Sequence, residues 1–450
     1  MNFSSDDPVL VDGFQWARAQ ALAYVFEGDP VGSWYEAALP GRAAFCMRDV
    51  SHQATGAHFL GLAHHTYNML HRFAENITAT RDWCSFWEID RRNLPCPADY
   101  RDDRSFWYNL PANFDVLDCC YRQYHWTGDR TYIDHPAFRN FYERTVGEYV
   151  RAWDKDGDGI PEHYPSYGNR GIASYNEEVP DIRVGADLIA LQYAAYQACA
   201  SILELNRDAD TASELRMKAR HLSEVYDREW WREEQQCFAG SLRENGSYDA
   251  GQFGCTVCIP LIVGLSQDER RTNAALEHEI RCRSRLGAEE RSYMPELLYA
   301  YDRDDLAFSE LLVLTDPGYH RREYPEVSFA VIGAVAAGLM GIAPDATART
   351  IATRSHLTAD AGWVELDNVP AFDNLIRIRH HGKTETIVAN LSGSEFRWRA
   401  AFPGQFDELI LNGVSVAAES GRTSRGTEES WCVLSCLPGD VHVVAAPTRS

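Results

Sequence analysis

The stretch EVSFAVIGAVAAGLMGIAPD, residues 326–345, divides the chain into two kinds of structure. Before it, apolar residues recur with the period of 3.6 that is typical of helices, for example over 51–76 and 182–205. After it the period changes to two, as in GWVELDNVP at 362–370, and Gly, Asn and Pro separate the apolar runs. The sequence therefore predicts a helical region followed by strands.

The helical region contains about eleven such segments, and its long loops follow roughly every other segment. These loops carry most of the polar and aromatic clusters and cover 28–50, 77–111, 154–180, 231–251 and 315–326. Paired helices with long loops at one end are typical of an (α/α)6 barrel. We therefore predict a mainly α protein with an (α/α)6 barrel over residues 1–346 and a small C-terminal antiparallel β-sandwich over residues 347–450.

Charge and aromatic content restrict the classes of ligand. The chain of 450 residues has 43 Lys and Arg against 66 Asp and Glu, a net charge of −23, which repels nucleic acid and anionic membranes. Aromatic residues make up 12% of the chain, with 12 Trp and 22 Tyr, and such rings stack on the C–H faces of sugars. We expect a neutral or cationic substrate and no nucleic-acid or membrane partner; the oligomeric state is left open.

The cysteines indicate the compartment. None of the 12 cysteines has the spacing of a metal site, and the one C-x-x-C pair, Cys255 and Cys258, lacks a second half. The N-terminal MNFSSDDPVL has no basic or apolar segment of a secretion signal, and no run of about 18 apolar residues predicts a membrane span. We expect buried free thiols and a cytoplasmic location.

Residues 154–187 form the most informative loop. Glu177 and Glu178 adjoin Tyr175 there, and neighbouring carboxylates raise each other's proton affinity, which suits a general acid. First-turn acids of a helix are the alternative interpretation. The same loop begins with DKDGDGIPE, which resembles half of an EF-hand, but Pro165 stands where the closing Glu is needed. We therefore predict no metal site.

Other loops supply partners for Glu177. Arg48 and Asp49 can grip two sugar hydroxyls, although Asp49 also suits a helix N-terminus. Cleavage of a glycosidic bond needs a second carboxyl group, and HRREYPE at 320–326 offers Glu323 or Glu326. The residues expected to bind substrate are Arg48, Asp49, His52, Trp107, Asn109, Tyr175, Glu178, Tyr324 and Glu326.

These motifs resemble those of the six-hairpin glycoside hydrolases. Arg48-Asp49 is similar to the pair that binds the non-reducing sugar in glucoamylase-type enzymes. Residues 176–179, NEEV, resemble their Trp-Glu-Glu-Val segment, with Asn176 in place of Trp. Glu323-Tyr324 resembles the segment that carries the base in trehalase and glucosidase families, and 326–344 resembles the end of a rhamnosidase-type barrel before its β-sandwich.

The resemblance implies an inverting glycosidase that acts at the non-reducing end of a small glycoside or oligosaccharide and uses no cofactor. In it, Glu177 is the general acid and Glu323 the base, with Glu326 as the other candidate. Two alternatives stay open. One is an inverting phosphorylase, in which Arg321 and Arg322 would hold phosphate. The other is a carbohydrate-binding protein without activity. Lyases and epimerases on related barrels would use His and Tyr instead of a pair of carboxyl groups.

Overall fold

The computed structural model describes residues 1–177, 179–423 and 425–447. About 43% of the residues are helical and 24% lie in strands, so the protein is mainly helical. The helices are α1 (Pro8–Ala23), α2 (Met47–Phe59), α3 (Ala63–Glu75), α4 (Pro111–Thr127), α5 (Thr131–Asp134), α6 (Pro136–Arg144), α7 (Val150–Trp153), α8 (Ala186–Leu205), α9 (Ala209–Val225), α10 (Cys255–Val263), α11 (Glu269–Cys282), α12 (Ala288–Arg291), α13 (Met294–Ala300), α14 (Asp304–Thr315) and α15 (Pro325–Gly333).

Six of these helices contact one another in a closed order. Helix α2 packs on α4, α4 on α8, α8 on α10 and α10 on α13. Helix α13 contacts the π-helical continuation of α15 at Ala334–Leu339, and α15 returns to α2. The other long helices pack outside this ring, for example α1 on α15 and α9 on α8.

Composition explains which helices lie inside. All nine residues of α15 are buried, and α8 is apolar around most of its circumference. Helix α11, in contrast, has one apolar stripe and lies outside. Gly56 lets α2 approach α15 closely, because a Cβ added there would lie 2.0 Å from the carbonyl oxygen of Phe329.

The helices predicted over 51–76 and 182–205 differ in their bounds from those observed. The segment 51–76 is divided into α2 and α3, because Gly61 adopts a left-handed φ of 82° that a helix cannot continue through. The segment 182–205 begins instead as the strand Ile182–Gly185. Helix α8 is long and apolar enough to cross a membrane by length and composition, but 67% of that window is buried inside the protein, which is the environment of a core helix.

The strands begin at the N-terminus and dominate from residue 343 onward. They are β1 (Asn2–Ser5), β2 (Val25–Asp29), β3 (Gly32–Tyr35), β4 (Ala44–Cys46), β5 (Glu88–Asp90), β6 (Tyr100–Asp102), β7 (Ser105–Phe106), β8 (Ile182–Gly185), β9 (Trp231–Arg232), β10 (Cys237–Phe238), β11 (Ser241–Arg243), β12 (Tyr248–Asp249), β13 (Ala343–Asp345), β14 (Thr350–Arg354), β15 (Trp363–Ala371), β16 (Asn374–His381), β17 (Glu385–Ser392), β18 (Phe396–Pro403), β19 (Glu408–Leu411), β20 (Val414–Ala417), β21 (Glu419–Arg422), β22 (Glu428–Cys436) and β23 (Val441–Ala445).

The C-terminal strands form two sheets. Their orders are β1-β15-β16-β17-β23-β19-β20 and β13-β14-β18-β22-β21. Strand β1 joins from the N-terminus, with Phe3 opposite Leu366. The prediction of wholly antiparallel pairing is wrong for one pair: β14 and β18 are parallel, with Ile351 opposite Trp398. The intervening strands β15–β17 lie in the other sheet, so the chain returns to β18 in the direction of β14.

Candidate active site

Arg48 and Asp49 lie in the first turn of α2, where the sequence places a helix start. The short β4–β5 pairing brings Glu88 opposite Cys46 and so places the 87–88 segment beside them. Arg48 Nε donates to Asp49 Oδ1 at 3.2 Å. Burial alone would lower the pKa of the Arg48 guanidinium. The negative charges of Asp49 and Glu177 have a larger, opposite effect and raise that pKa. Arg48 is therefore a permanent cation at this end of the helix ring.

Glu177 points its carboxylate at this cation. The distance from Arg48 Nη1 to Glu177 Oε1 is 3.5 Å, and Asn109 Nδ2 donates to the same oxygen at 3.1 Å. Trp107 Nε1 in turn donates to Asn109 Oδ1 at 2.8 Å, which fixes the amide orientation. Burial raises the pKa of Glu177 above its usual value, against the effects of Arg48 and Asn109. The side chain stays 33% exposed, so a protonated carboxyl group remains accessible.

Tyr175 forms one wall of the site. Its ring centroid lies 5.6 Å from the guanidinium carbon of Arg48, and its hydroxyl donates to Asp115 at 2.9 Å. Its backbone N–H donates to buried Asp187 at 2.6 Å, and Ser174 Oγ also contacts that carboxylate. Asp187 therefore anchors the loop that presents Glu177.

His52 lies one turn further along α2 and forms part of the floor. Its ring stacks on Tyr293 with centroids 3.7 Å apart, and Nε2 lies 2.7 Å from Ser292 Oγ. Burial lowers the pKa of His52 to about 3, with Arg122 and Arg48 acting in the same direction. His52 is therefore a neutral, packed side chain beneath the Arg48–Asp49 pair.

Two further carboxyl groups belong to this cluster. Glu326, in the first turn of α15, is 5% exposed, and burial together with nearby Asp49 raises its pKa well above the usual value. One of its oxygens is buried without a hydrogen-bond partner among the described residues. Glu289, in α12, is half-buried, and burial raises its pKa too, while Arg48 and Arg321 favour its ionised form. Glu177 also acts electrostatically on Glu289.

Glu323 lies apart from this cluster. Its side chain is exposed and forms no hydrogen bond or ion pair within the described residues, while its backbone carbonyl accepts from the Tyr24 hydroxyl at 2.6 Å. The reason is the helix start: α15 begins at Pro325, so Glu326 enters the first turn and Glu323 stays outside. Tyr324 caps the helix and lies under Arg321, 5.4 Å from ring centroid to guanidinium. Glu178 lies outside the described residues.

The structure thus brings together Glu177, Arg48, Asp49, Asn109, Trp107, Tyr175, His52 and Glu326. Sequence reasoning missed Glu289 and Tyr293. A signal was present, because GAEERSY at 287–293 repeats the arrangement of paired glutamates near a tyrosine seen at 175–178.

Three groups of side chains bring possible metal-ligand atoms within 4.8 Å of one another in the described residues. They are Glu88 with Cys96 and Asp99, Asp302 with Asp304 and His356, and Asp154 with Asp156 and Glu162. A basic side chain already pairs with each. Arg42 lies 2.7 Å from Asp99, Lys383 lies 2.5 Å from Asp304, and Arg183 lies 2.5 Å from Asp156. Each of these cations already neutralises a carboxylate of its group. All twelve cysteines are buried and unpaired, as predicted.

Known structures resemble the chain in fold. No family model matches it, and no curated protein matches it in sequence. A GH78 family rhamnosidase of Bacillus sp. GL1 superposes with a TM-score of 0.61 at 13% identity, over 86% of this chain and 40% of that one. An alpha-L-rhamnosidase from Dictyoglumus thermophilum gives 0.58 at 13% identity, over 99% and 50%. A putative kojibiose phosphorylase from human microbiome gives 0.61 at 9% identity, over 97% and 63%.

At these identities the comparison establishes the fold alone. The chain spans half or less of the length of the two rhamnosidases. The resemblance to barrel-type glycoside hydrolases drawn from the sequence is confirmed at the level of the fold.

Proposed function

We propose that the helices over residues 1–346 form an (α/α)6 barrel and that residues 347–450 form its accessory β-sandwich. The closed order of helix contacts supports this architecture. The candidate site lies at the end where α2 and α15 begin, with Arg48, Asp49 and Glu326 in their first turns. The buried, unpaired cysteines support a cytoplasmic location.

At this end, we propose an inverting glycosidase that removes a sugar from the non-reducing end of a small glycoside or oligosaccharide. The observation that carries the proposal is the convergence of Glu177, Glu289 and Glu326 on the Arg48–Asp49 pair. Glu177 protonates the glycosidic oxygen as the C–O bond breaks. A carboxylate on the other face takes a proton from the water that attacks the anomeric carbon.

Glu289 suits the base better than Glu326. A base must be ionised and must reach water. Burial and Asp49 raise the pKa of both carboxyl groups, and Arg48 favours the ionised form of both. Glu289 is half-buried and has Arg321 as a second cation, whereas Glu326 is 5% exposed and its pKa is raised well above the usual value. We assign Glu326 instead, in its protonated form, to hydrogen bonding with a sugar hydroxyl beside Asp49. Arg48 and Asp49 offer a donor and an acceptor to adjacent hydroxyls.

The test begins with nitrophenyl glycosides and disaccharides, which identify the sugar. Proton NMR of the first-formed product then reports its anomeric configuration before mutarotation. Inversion requires the carboxyl groups to be about 6.5–9.5 Å apart, and retention about 5–5.5 Å. Release of a product with the substrate's own configuration refutes the inverting mechanism. No turnover on any substrate refutes the enzyme class.

An inverting phosphorylase is the second candidate. The observation that favours it is Arg321, which acts on Glu289 and supplies a cation not already paired with Glu177. In that reaction phosphate replaces water and the base is not needed. Release of sugar 1-phosphate only when phosphate is present would establish the phosphorylase; release of free sugar in its absence would establish the hydrolase.

A further inference from the structure

The centre of the helix ring contains two adjoining cavities on the far side of the His52–Tyr293 stack from Glu177. They measure about 490 and 540 Å³. Four side chains line both: His52, Thr55, Arg122 and Glu296. Each cavity has the volume of an ordinary small-molecule site.

The second cavity reaches the surface at the end of the ring opposite the candidate active site. Its wall includes His125, near the end of α4, and Asp345, in β13. The Asp345 side chain is 46% exposed, and His125 Nδ1 lies 3.4 Å from its carboxylate. A ligand therefore has an entrance that does not pass Arg48 or Glu177.

Two polar groups in this cavity have no hydrogen-bond partner among the described residues. Glu296 and Tyr299 are three residues apart on α13 and so lie on one face of it. The hydroxyl of Tyr299 is buried in a residue that is 3% exposed. Glu296 is exposed, yet it lines both cavities, and burial within the ring raises the pKa of its carboxyl group. The unpaired, buried hydroxyl of Tyr299 is costly in this position.

The charges disfavour a strongly ionic ligand. Arg122 Nε donates to Asp118 Oδ2 at 2.8 Å, so the cation of the cavity is already neutralised. Arg122 also acts electrostatically on Glu296, and its positive charge would repel a cationic ligand bound beside that carboxyl group. The remaining walls are largely apolar. Small and aliphatic side chains such as Ala194, Ile259 and Ala334 alternate there with aromatic rings, which are those of Tyr121, Tyr193 and Tyr293 in the first cavity and of Trp126, Tyr299 and Phe329 in the second.

We propose that the second cavity, which Glu296 and Tyr299 both line, is a second binding site, separate from the candidate active site, for a neutral polyhydroxylated molecule of monosaccharide size. The carboxyl group of Glu296 and the hydroxyl of Tyr299 would pair with ligand hydroxyls, while the rings pack against its C–H faces. The proposal does not require that the protein be a glycosidase.

The experiment uses myo-inositol and xylitol, polyols that have no glycosidic bond and so cannot be turned over. Isothermal titration calorimetry of the full chain should show saturable binding of at least one of them, and none of phosphate or tetramethylammonium. Glu296→Gln and Tyr299→Phe keep the shape of their side chains and should each weaken binding about fivefold, the effect of one lost hydrogen bond. Glu277→Gln, an exposed glutamate on α11, is the matched control and should bind as before.

Several outcomes overturn the proposal. They are the absence of saturable polyol binding, a preference for either charged probe, and unaltered affinity in both cavity variants. Loss of binding in Arg48→Ala would place the polyol in the candidate active site and would also overturn it. A crystal of the unaltered protein soaked in the polyol gives an answer independent of variant folding. Density between Glu296 and Tyr299 supports the site, and polyol found elsewhere, or nowhere, refutes it.

Discussion

Replacing Glu177 with glutamine tests the proposed reaction most directly. The substitution Glu177→Gln keeps the size of the side chain and its contact with the Asn109 amide, but removes the proton that the glycosidic oxygen needs. Loss of a general acid typically costs about 10²–10⁴ in rate. Folding should change little, because the side chain is 33% exposed and its 3.5 Å pair with Arg48 contributes about 1 kcal/mol or less.

Comparing two leaving groups on the same sugar tests the role of Glu177 as the acid. A dinitrophenolate departs without protonation, whereas an alcohol needs it. The Glu177→Gln variant should therefore lose far more kcat on an alkyl glycoside or disaccharide than on the dinitrophenyl glycoside of the same sugar. Glu289→Gln, which removes the proposed base, should slow both substrates to a similar extent, since water activation is common to both.

Glu323→Gln is the matched control. It removes an exposed carboxylate that has no hydrogen bond or ion pair within the described residues, three positions before Glu326. Its rate should stay within about twofold of the unaltered protein, as expected for a surface substitution. Unaltered kcat in Glu177→Gln on an alkyl glycoside, or equal losses on both leaving groups, would refute the assignment of the acid. A large loss in Glu323→Gln would refute the placement of that residue.

Four further expectations follow from the contacts. Asn109→Ala removes a hydrogen bond that lowers the pKa of Glu177, so the alkaline limb of the pH–rate profile should move to higher pH; a shift to lower pH contradicts this. Burial raises the pKa of Asp115 to about 7, so the contribution of this group to stability is present at pH 4 and is lost as the pH rises through 7. In urea denaturation, the free energy of unfolding of Asp115→Asn should therefore vary with pH by about 2–4 kcal/mol less than that of the unaltered protein. An unchanged variation with pH would contradict this expectation. Gly56→Ala should lower the free energy of unfolding by about 1–3 kcal/mol or more, because its new Cβ clashes with Phe329. Gly287→Ala should not, because no atom lies within 4 Å of its new Cβ. Equal urea midpoints for the two variants would argue against the close contact of α2 with α15. EDTA should leave the rate unchanged, because Arg183 already pairs with Asp156 and Glu162; loss of activity that Ca²⁺ restores would show that the 154–162 loop needs metal.

Local pattern predicted a large part of this protein. The change of apolar period near residue 345 separates the helices from the strands. This signal is local, because the period can be read from any window of about ten residues. The Arg48–Asp49 pair and Glu177 stood out for a similar reason, since each belongs to a short segment in which charge and aromatic residues are unusual for a plain loop. Burial of the cysteines followed from their apolar neighbours.

Other features depended on where elements begin. The sequence favoured Glu323 over Glu326 as the base, and the start of α15 at Pro325 buries Glu326 and leaves Glu323 in solvent. A single left-handed glycine, Gly61, divides what the pattern predicts as one helix. Such boundaries depend on a few backbone angles, which periodicity does not determine.

Contacts between distant segments were decided by the tertiary structure alone. Strand β1 pairs with β15 across more than 350 residues, and Glu289 joins Arg48 only because the helix ring closes. The cavity lined by Glu296 and Tyr299 likewise exists only once α2, α4, α13 and α15 pack together. The sequence by itself determined which segments are helical and which chemistry they carry, since both are local. Which carboxyl groups meet, and what space remains between the helices, depends on packing summed over the whole chain.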